Sequence, residues 1–198
     1  KKSNLSDNDN KIVNWYKEKN VGKKEYYLIV GRFVPENNYE TMISEFMKSK
    51  TKKDLVLITN VEKNKFYEEL KQRTKFDKDK RIKFVGTVYD QELLTKIREN
   101  AYGYIHGHEV GGTNPSLLEA LAATDLNLLL NVGFNREVAE DSAIYFGKNN
   151  FDLKNEIEKA DKLSDKEIKE FSIRAKSRIK DAYSWNKIIR KYEELLMK

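Results

Sequence analysis

Six short apolar runs recur along the chain, and the stretches between them space their apolar residues as helices do. The runs are Tyr26-Tyr27-Leu28-Ile29-Val30, Leu55-Val56-Leu57-Ile58, Ile82-Lys83-Phe84-Val85, Tyr102-Gly103-Tyr104-Ile105, Leu126-Asn127-Leu128-Leu129-Leu130 and Ala143-Ile144-Tyr145-Phe146. The second shows no polar alternation, the pattern of a strand covered on both faces. Met42, Ile43, Phe46 and Met47 follow the first run at helical spacing, and Phe66, Tyr67 and Leu70 follow the second. Leu93, Leu94 and Ile97 follow the third, behind Asp90 as an N-cap. Connections of this length are too long for hairpins. The pattern predicts an open parallel α/β sheet of about six strands with helices on both faces.

Both ends read as helical. Residues 10–19 carry Ile12, Val13, Trp15 and Tyr16, and Ser164-Asp165-Lys166-Glu167 is a capping box opening a Lys- and Glu-rich helix. A last helix is expected from Ser184, with Trp185, Ile188, Ile189, Tyr192, Leu195 and Leu196 along one side. No internal repeat and no Gly-, Ser- or Pro-rich linker divides the chain. The reading is therefore one domain over 1–198: an N-terminal helix and linker (1–24), an α/β core (25–148) and C-terminal helices (149–198).

Of the 198 residues, 39% are hydrophobic and 35% charged, which excludes a disordered polymer. The net charge of +6 is spread thin, with both signs interleaved as in Lys166-Glu167-Ile168-Lys169-Glu170. Such a distribution marks solvated helix faces, not the basic stripe of a nucleic-acid binder, although mild attraction to anionic substrates or lipid headgroups is compatible with it. Cysteine is absent, so disulfides and thiolate metal sites are impossible. The opening residues lack a secretory apolar region. The expectation is a cytoplasmic protein, and the lack of an initiating Met suggests a piece of something longer.

In open parallel sheets ligands bind beyond the carboxyl ends of the strands. Two loops there are unusual. Gly31-Arg32-Phe33-Val34-Pro35-Glu36-Asn37-Asn38 follows the first strand. Gly31 permits a tight turn, and Arg32 either offers phosphate a bidentate guanidinium or simply pairs with a neighbouring acid. Gly107-His108-Glu109-Val110-Gly111-Gly112-Thr113-Asn114-Pro115-Ser116-Leu117-Leu118-Glu119 follows the fourth strand. Gly111 and Gly112 let backbone approach a ligand, and Thr113 or Asn114 caps a helix with Pro115 in its first turn. The amides and dipole of that helix start suit an anion, and Glu119, one turn in, suits sugar hydroxyls. The plainer reading is a capped helix with an exposed Glu. The G-x-G-x-x-G dinucleotide fingerprint is absent.

With these residues in view, the chain from Tyr26 to Lys198 resembles the C-terminal, donor-binding half of family-4 retaining glycosyltransferases of the GT-B type. Gly31-Arg32-Phe33-Val34-Pro35-Glu36 resembles that family's G-R-L-x-P-E-K-G loop, and Arg81-Ile82-Lys83-Phe84-Val85-Gly86 its R-V-x-F-x-G strand. Asp90-Gln91-Glu92-Leu93 resembles the following D-E-E-L, Gly133-Phe134-Asn135-Arg136-Glu137-Val138 the G-G-x-x-E-V loop, and Tyr183-Ser184-Trp185 the F-S-W of the final helix. The string from His106 to Leu121 is similar to bacterial rhamnosyltransferases of capsule and cell-wall polysaccharide assembly.

The resemblance implies a Rossmann-like fold and a nucleotide-sugar donor, L-rhamnose carried by dTDP, with UDP- or GDP-hexoses as the alternative. It implies transfer with retained configuration to a polysaccharide or lipid-linked acceptor, held by an N-terminal domain absent from this chain. The fragment alone is then expected to bind but not to transfer, with peripheral contact at the inner membrane face. Arg32 and Glu119 would position the donor and stabilise the leaving group. The backbone around Phe84–Thr87, with Phe84, Val85 and Gly86, would meet the base; Gly111, Gly112, Thr113, Asn114 and Ser116 would cradle phosphate and sugar. No cofactor, metal or nucleic-acid partner is implied. The chain departs from the family twice: Gly111 stands where a sugar-contacting Glu is usual, and Asn37 stands at the phosphate-binding Lys, for which Lys65 is a distant substitute. His106 and His108 read as supports of the loop. A basic nucleotide- or nucleic-acid-binding domain, a receiver-like domain and a scaffold remain as other classes.

Overall fold

The computed structural model describes residues 2–110 and 114–183. The expected strands form at β1 Tyr26–Val30, β2 Asp54–Ile58, β3 Ile82–Gly86, β4 Gly103–His106, β5 Asn127–Leu130 and β6 Ile144–Phe146. All pair in parallel, in the order β3-β2-β1-β4-β5-β6. The helices are α1 Asn10–Lys19, α2 Tyr39–Lys48, α3 Lys65–Thr74, α4 Gln91–Asn100, α5 Pro115–Ala123, α6 Gly133–Ala139, α7 Asp152–Ala160 and α8 Asp165–Ala182. The helix expected from Ser184, with Trp185, lies outside the described residues.

Alternation along β1 and β2 divides the core into two layers. Tyr27, Ile29, Leu55 and Leu57 face one way and meet Met42, Ile43 and Phe46 of α2, Leu70 of α3 and Ile157 of α7. Tyr26, Leu28, Val56 and Ile58 face the other way and meet Ile12 and Trp15 of α1, Ile97 of α4 and Ala120 of α5. Each such side chain contributes roughly 1.5–3 kcal/mol on burial. A slip of one residue would exchange the two layers, so the register of the central strands is tightly specified.

Local signals set the helix ends. Asp90 accepts from the amides of Glu92 and Leu93, and Ser164 forms the complete capping box with Glu167. Arg81 explains a motif residue that carries no ligand chemistry. Its guanidinium donates to the carbonyls of Met47, Ser49 and Thr51, pairs with Asp79 at 2.7 Å and lies over the Phe46 ring. It thereby ties the end of α2 to the start of β3.

The strand order places the site. From β1 the chain crosses to β2 on one side, whereas from β4 it crosses to β5 on the other. The loops leaving β1 and β4 therefore part company at the carboxyl edge and leave a crevice between them, as at any switch point of an open α/β sheet.

Candidate functional site

Both unusual loops border that crevice. After β1 come Gly31 and Arg32, then a 3-10 turn at Pro35–Asn37 and Asn38 in a left-handed conformation (φ 57°) before α2. After β4 come Gly107, His108 and Glu109, and Asn114 opens α5. Arg32, Asn37, Tyr104, His106, His108, Asn114 and Ser116 are among the residues around a cavity of about 270 Å³. A second cavity of about 460 Å³ lies beside it, sharing Val30, Gly31 and Arg32 and reaching Thr59, Asn60, Thr87 and Val88. Arg32 thus stands on the ridge between two hollows. Gly107 sets the gap, because a Cβ there would lie 2.5 Å from the Asn37 carbonyl oxygen and 2.9 Å from the Met42 sulfur.

Arg32 is exposed and makes no ion pair or side-chain hydrogen bond among the described residues. Asn37 donates its amide to the Arg32 carbonyl at 2.8 Å and turns its oxygen to His108 Nδ1 at 2.7 Å. Tyr104 and Ser116 bond each other at 3.0 Å and converge on the Val30 carbonyl, which pins the start of α5 to the end of β1. His106 is buried, its Nε2 has no partner among the described residues, and burial followed by the nearby His108 pushes its pKa down to about 3, so it is neutral. Glu109 is not among the residues around either cavity. It pairs with Lys148 and accepts from Asn38, and Lys148 above all holds its carboxyl below the usual range.

Asn114 caps α5 as expected, by accepting from the Ser116 amide at 2.9 Å, and Pro115 occupies the first turn. That cap uses up the turn's donors. Pro115 has no N–H, and the amides of Leu117 and Leu118 both reach the Asn114 carbonyl. The helix start therefore offers its dipole, and its described amides would serve an anion only by exchanging partners.

The other candidates divide. Glu119 does not border either cavity. It is half exposed and pairs at 2.7 Å with Arg98, whose side chain is 3% exposed. One carboxylate oxygen is thus anchored by a buried guanidinium that sequence reading missed, and the other is open to solvent or ligand. The Phe84 ring packs among Phe33, Tyr67 and Phe76, and Val85 joins the opposite layer. Their side chains are structural, and Gly86 turns the chain at φ 79° toward Thr87 and Val88, which do border the second cavity. Gly111, Gly112 and Thr113 lie outside the described residues. Lys65 is fully out in solvent beside Glu69 and borders neither cavity. Tyr104 and Arg98 were not found from sequence because a Tyr in an apolar run and an Arg in a charged helix look like packing and surface.

The family model described as "Glycosyl transferases group 1" matches residues 13–182. The chain belongs to the group 1 glycosyltransferases. Its fold is that of the C-terminal domain of a GT-B enzyme. A glycosyltransferase from Rickettsia africae superposes with a TM-score of 0.81 at 16% identity, over 97% of this chain and 52% of that one. Anabaena Alr3699/HepE in complex with UDP gives 0.79 at 15% identity, over 98% and 53%. The C-terminal domain of the group 1 protein LpcC from Francisella tularensis gives 0.71 at 17% identity, over 91% and 95%. This group 1 chain thus spans about half the length of the first two. No curated protein matches it at a significant level. Among the described residues no helix is long and apolar enough to cross a membrane, and no cluster of three or more His, Asp or Glu could hold a metal.

Proposed function

We propose that the chain is the donor-binding part of a retaining family-4 glycosyltransferase, and that it takes a nucleotide sugar, dTDP-rhamnose before UDP- or GDP-hexoses. One observation carries the reading: at the switch point, a guanidinium with no partner among the described residues and the positive end of α5 face one cavity. Arg32 meets the diphosphate from the ridge, the base lies toward Thr87 and Val88, and the sugar lies toward His108 and Ser116. As the glycosidic bond lengthens, negative charge accumulates on the leaving diphosphate, and Arg32 with the α5 dipole stabilises that charge more than the ground state. The ribose role of Glu119 rests on the resemblance alone, since Glu119 borders neither cavity. The acceptor, a polysaccharide or lipid-linked glycan, is met by a second domain. HepE with UDP supports the nucleotide class, since it shares this fold.

A thermal-shift comparison of dTDP, UDP, GDP and ADP tests this. Stabilisation by one of them, weakened in Arg32→Ala and in Glu119→Gln, is the expected result. Indifference to all four refutes the donor-site reading.

A further inference from the structure

The Asn37–His108 contact settles a proton. Asn37 holds its amide nitrogen against the Arg32 carbonyl, which can only accept, so the amide oxygen is the atom facing His108. That oxygen carries no hydrogen. His108 must therefore donate from Nδ1, and in the neutral imidazole this leaves Nε2 as a bare acceptor. The Phe134 ring stands edge-on at 5.8 Å, His106 lies 6.0 Å away, and the backbone carbonyl of His108 accepts from Asn135. The ring is thus braced from several sides while it borders the cavity. A second, independent feature points to a ligand in the same place: the buried Nε2 of His106, on the cavity wall, has no partner among the described residues. The charged groups nearby do not compete. Glu109 is engaged by Lys148 and Asn38, and Arg32 borders both cavities whereas His108 borders only the first.

We infer that His108 reads a hydroxyl of the transferred sugar by accepting its hydrogen at Nε2, and that Asn37 is the positioning residue that fixes the tautomer. This rests on the donor-site reading above and adds to it a division of the cavity. An imidazole lone pair repels phosphate oxygens but welcomes a hydroxyl, so the diphosphate belongs on the Arg32 side and the sugar ring on the His108 side. Specificity follows, because a donor whose hydroxyl near Nε2 is missing leaves a desolvated acceptor unpaired.

Calorimetric titration of the 198-residue chain, wild type and His108→Phe, with dTDP and with dTDP-rhamnose separates the two ideas (UDP and UDP-glucose replace them if UDP is the base bound). The expected result is unchanged affinity for the nucleoside diphosphate and a loss of roughly three- to tenfold for the nucleotide sugar, the range for one hydrogen bond. His108→Gln, which keeps an acceptor, restores most of it. Imidazole nitrogen NMR of the wild type should show a protonated Nδ1 and an unprotonated Nε2, with only Nε2 perturbed by the nucleotide sugar. Equal weakening of both ligands, no weakening of either, or a proton on Nε2 overturns the inference. Failure of the wild type to bind any nucleoside diphosphate overturns the donor-site reading instead.

Discussion

Glu119→Ala is expected to cost stability before it costs anything else. Arg98 is 3% exposed, its Nε has no partner, and Glu119 is the one acid that meets its guanidinium among the described residues. Removing one member of a buried ion pair costs about 3–5 kcal/mol, because the other charge is left without compensation. Here the carboxylate is half in water, which lowers the figure to about 2 kcal/mol. For a chain of this length that is a fall in Tm of roughly 4–8 °C. Urea and thermal unfolding of four proteins measure it: wild type, Glu119→Ala, Arg98→Met and the double variant. Arg98→Met removes the buried charge itself and should cost less than about 1 kcal/mol, and the double variant should be more stable than Glu119→Ala. If Glu119→Ala unfolds with the wild type, or the double variant is the worst of the four, the anchored-carboxylate reasoning is wrong. The result also decides how the ligand role of Glu119 is tested. Glu119→Gln keeps a partner for Arg98 and isolates the contact with ribose, whereas the alanine variant mixes binding with folding.

Three further outcomes follow from the packing. Arg81→Ala should lose about 2–4 kcal/mol in urea unfolding, since three carbonyls and Asp79 lose their donor together; a loss below about 0.5 kcal/mol contradicts the strap. Gly107→Ala forces a Cβ against the Asn37 carbonyl and Met42, so the variant should be destabilised by about 1–3 kcal/mol with weakened nucleotide binding, and a neutral result speaks against the close approach. His106 is depressed to about 3, so between about pH 6.5 and 3 the unfolded chain binds more protons than the folded one. Its contribution is complete above about pH 6.5 and declines by up to about 1.4 kcal/mol per pH unit below it. His106→Leu should therefore lose about 2 kcal/mol less than wild type between pH 7 and 5, and parallel stability curves would count against a buried neutral His106.

The order of elements and the two ligand-edge loops were legible because hydrophobic periodicity and turn chemistry are local properties. Asp90 and Ser164 cap where their spacing says they should, and Asn114 with Pro115 opens α5. What sequence could not supply were partners distant along the chain. Nothing in Arg98 announces that it reaches Glu119 across two helices, and nothing in Asn37 says that its amide is divided between Arg32 and His108. The resemblance gives the base to the backbone around Phe84–Thr87; alternation sends the Phe84 ring into the aromatic cluster, and of that stretch Thr87, followed by Val88, borders the cavity. The two histidines were read as loop supports. Only the direction of hydrogen bonds, which is a three-dimensional fact, leaves the neutral His108 ring an Nε2 acceptor that has no partner among the described residues.

The most direct measurement is the calorimetric affinity of the preferred nucleoside diphosphate for wild type and Arg32→Ala, with urea unfolding of both. Arg32 is solvated and has no partner among the described residues, so its removal should leave stability within about 0.5 kcal/mol. It should weaken the diphosphate by roughly 10- to 100-fold, the worth of a charged hydrogen bond. Equal affinity in the two proteins would mean that phosphate does not rest on the ridge between the cavities, and the site would have to be sought elsewhere.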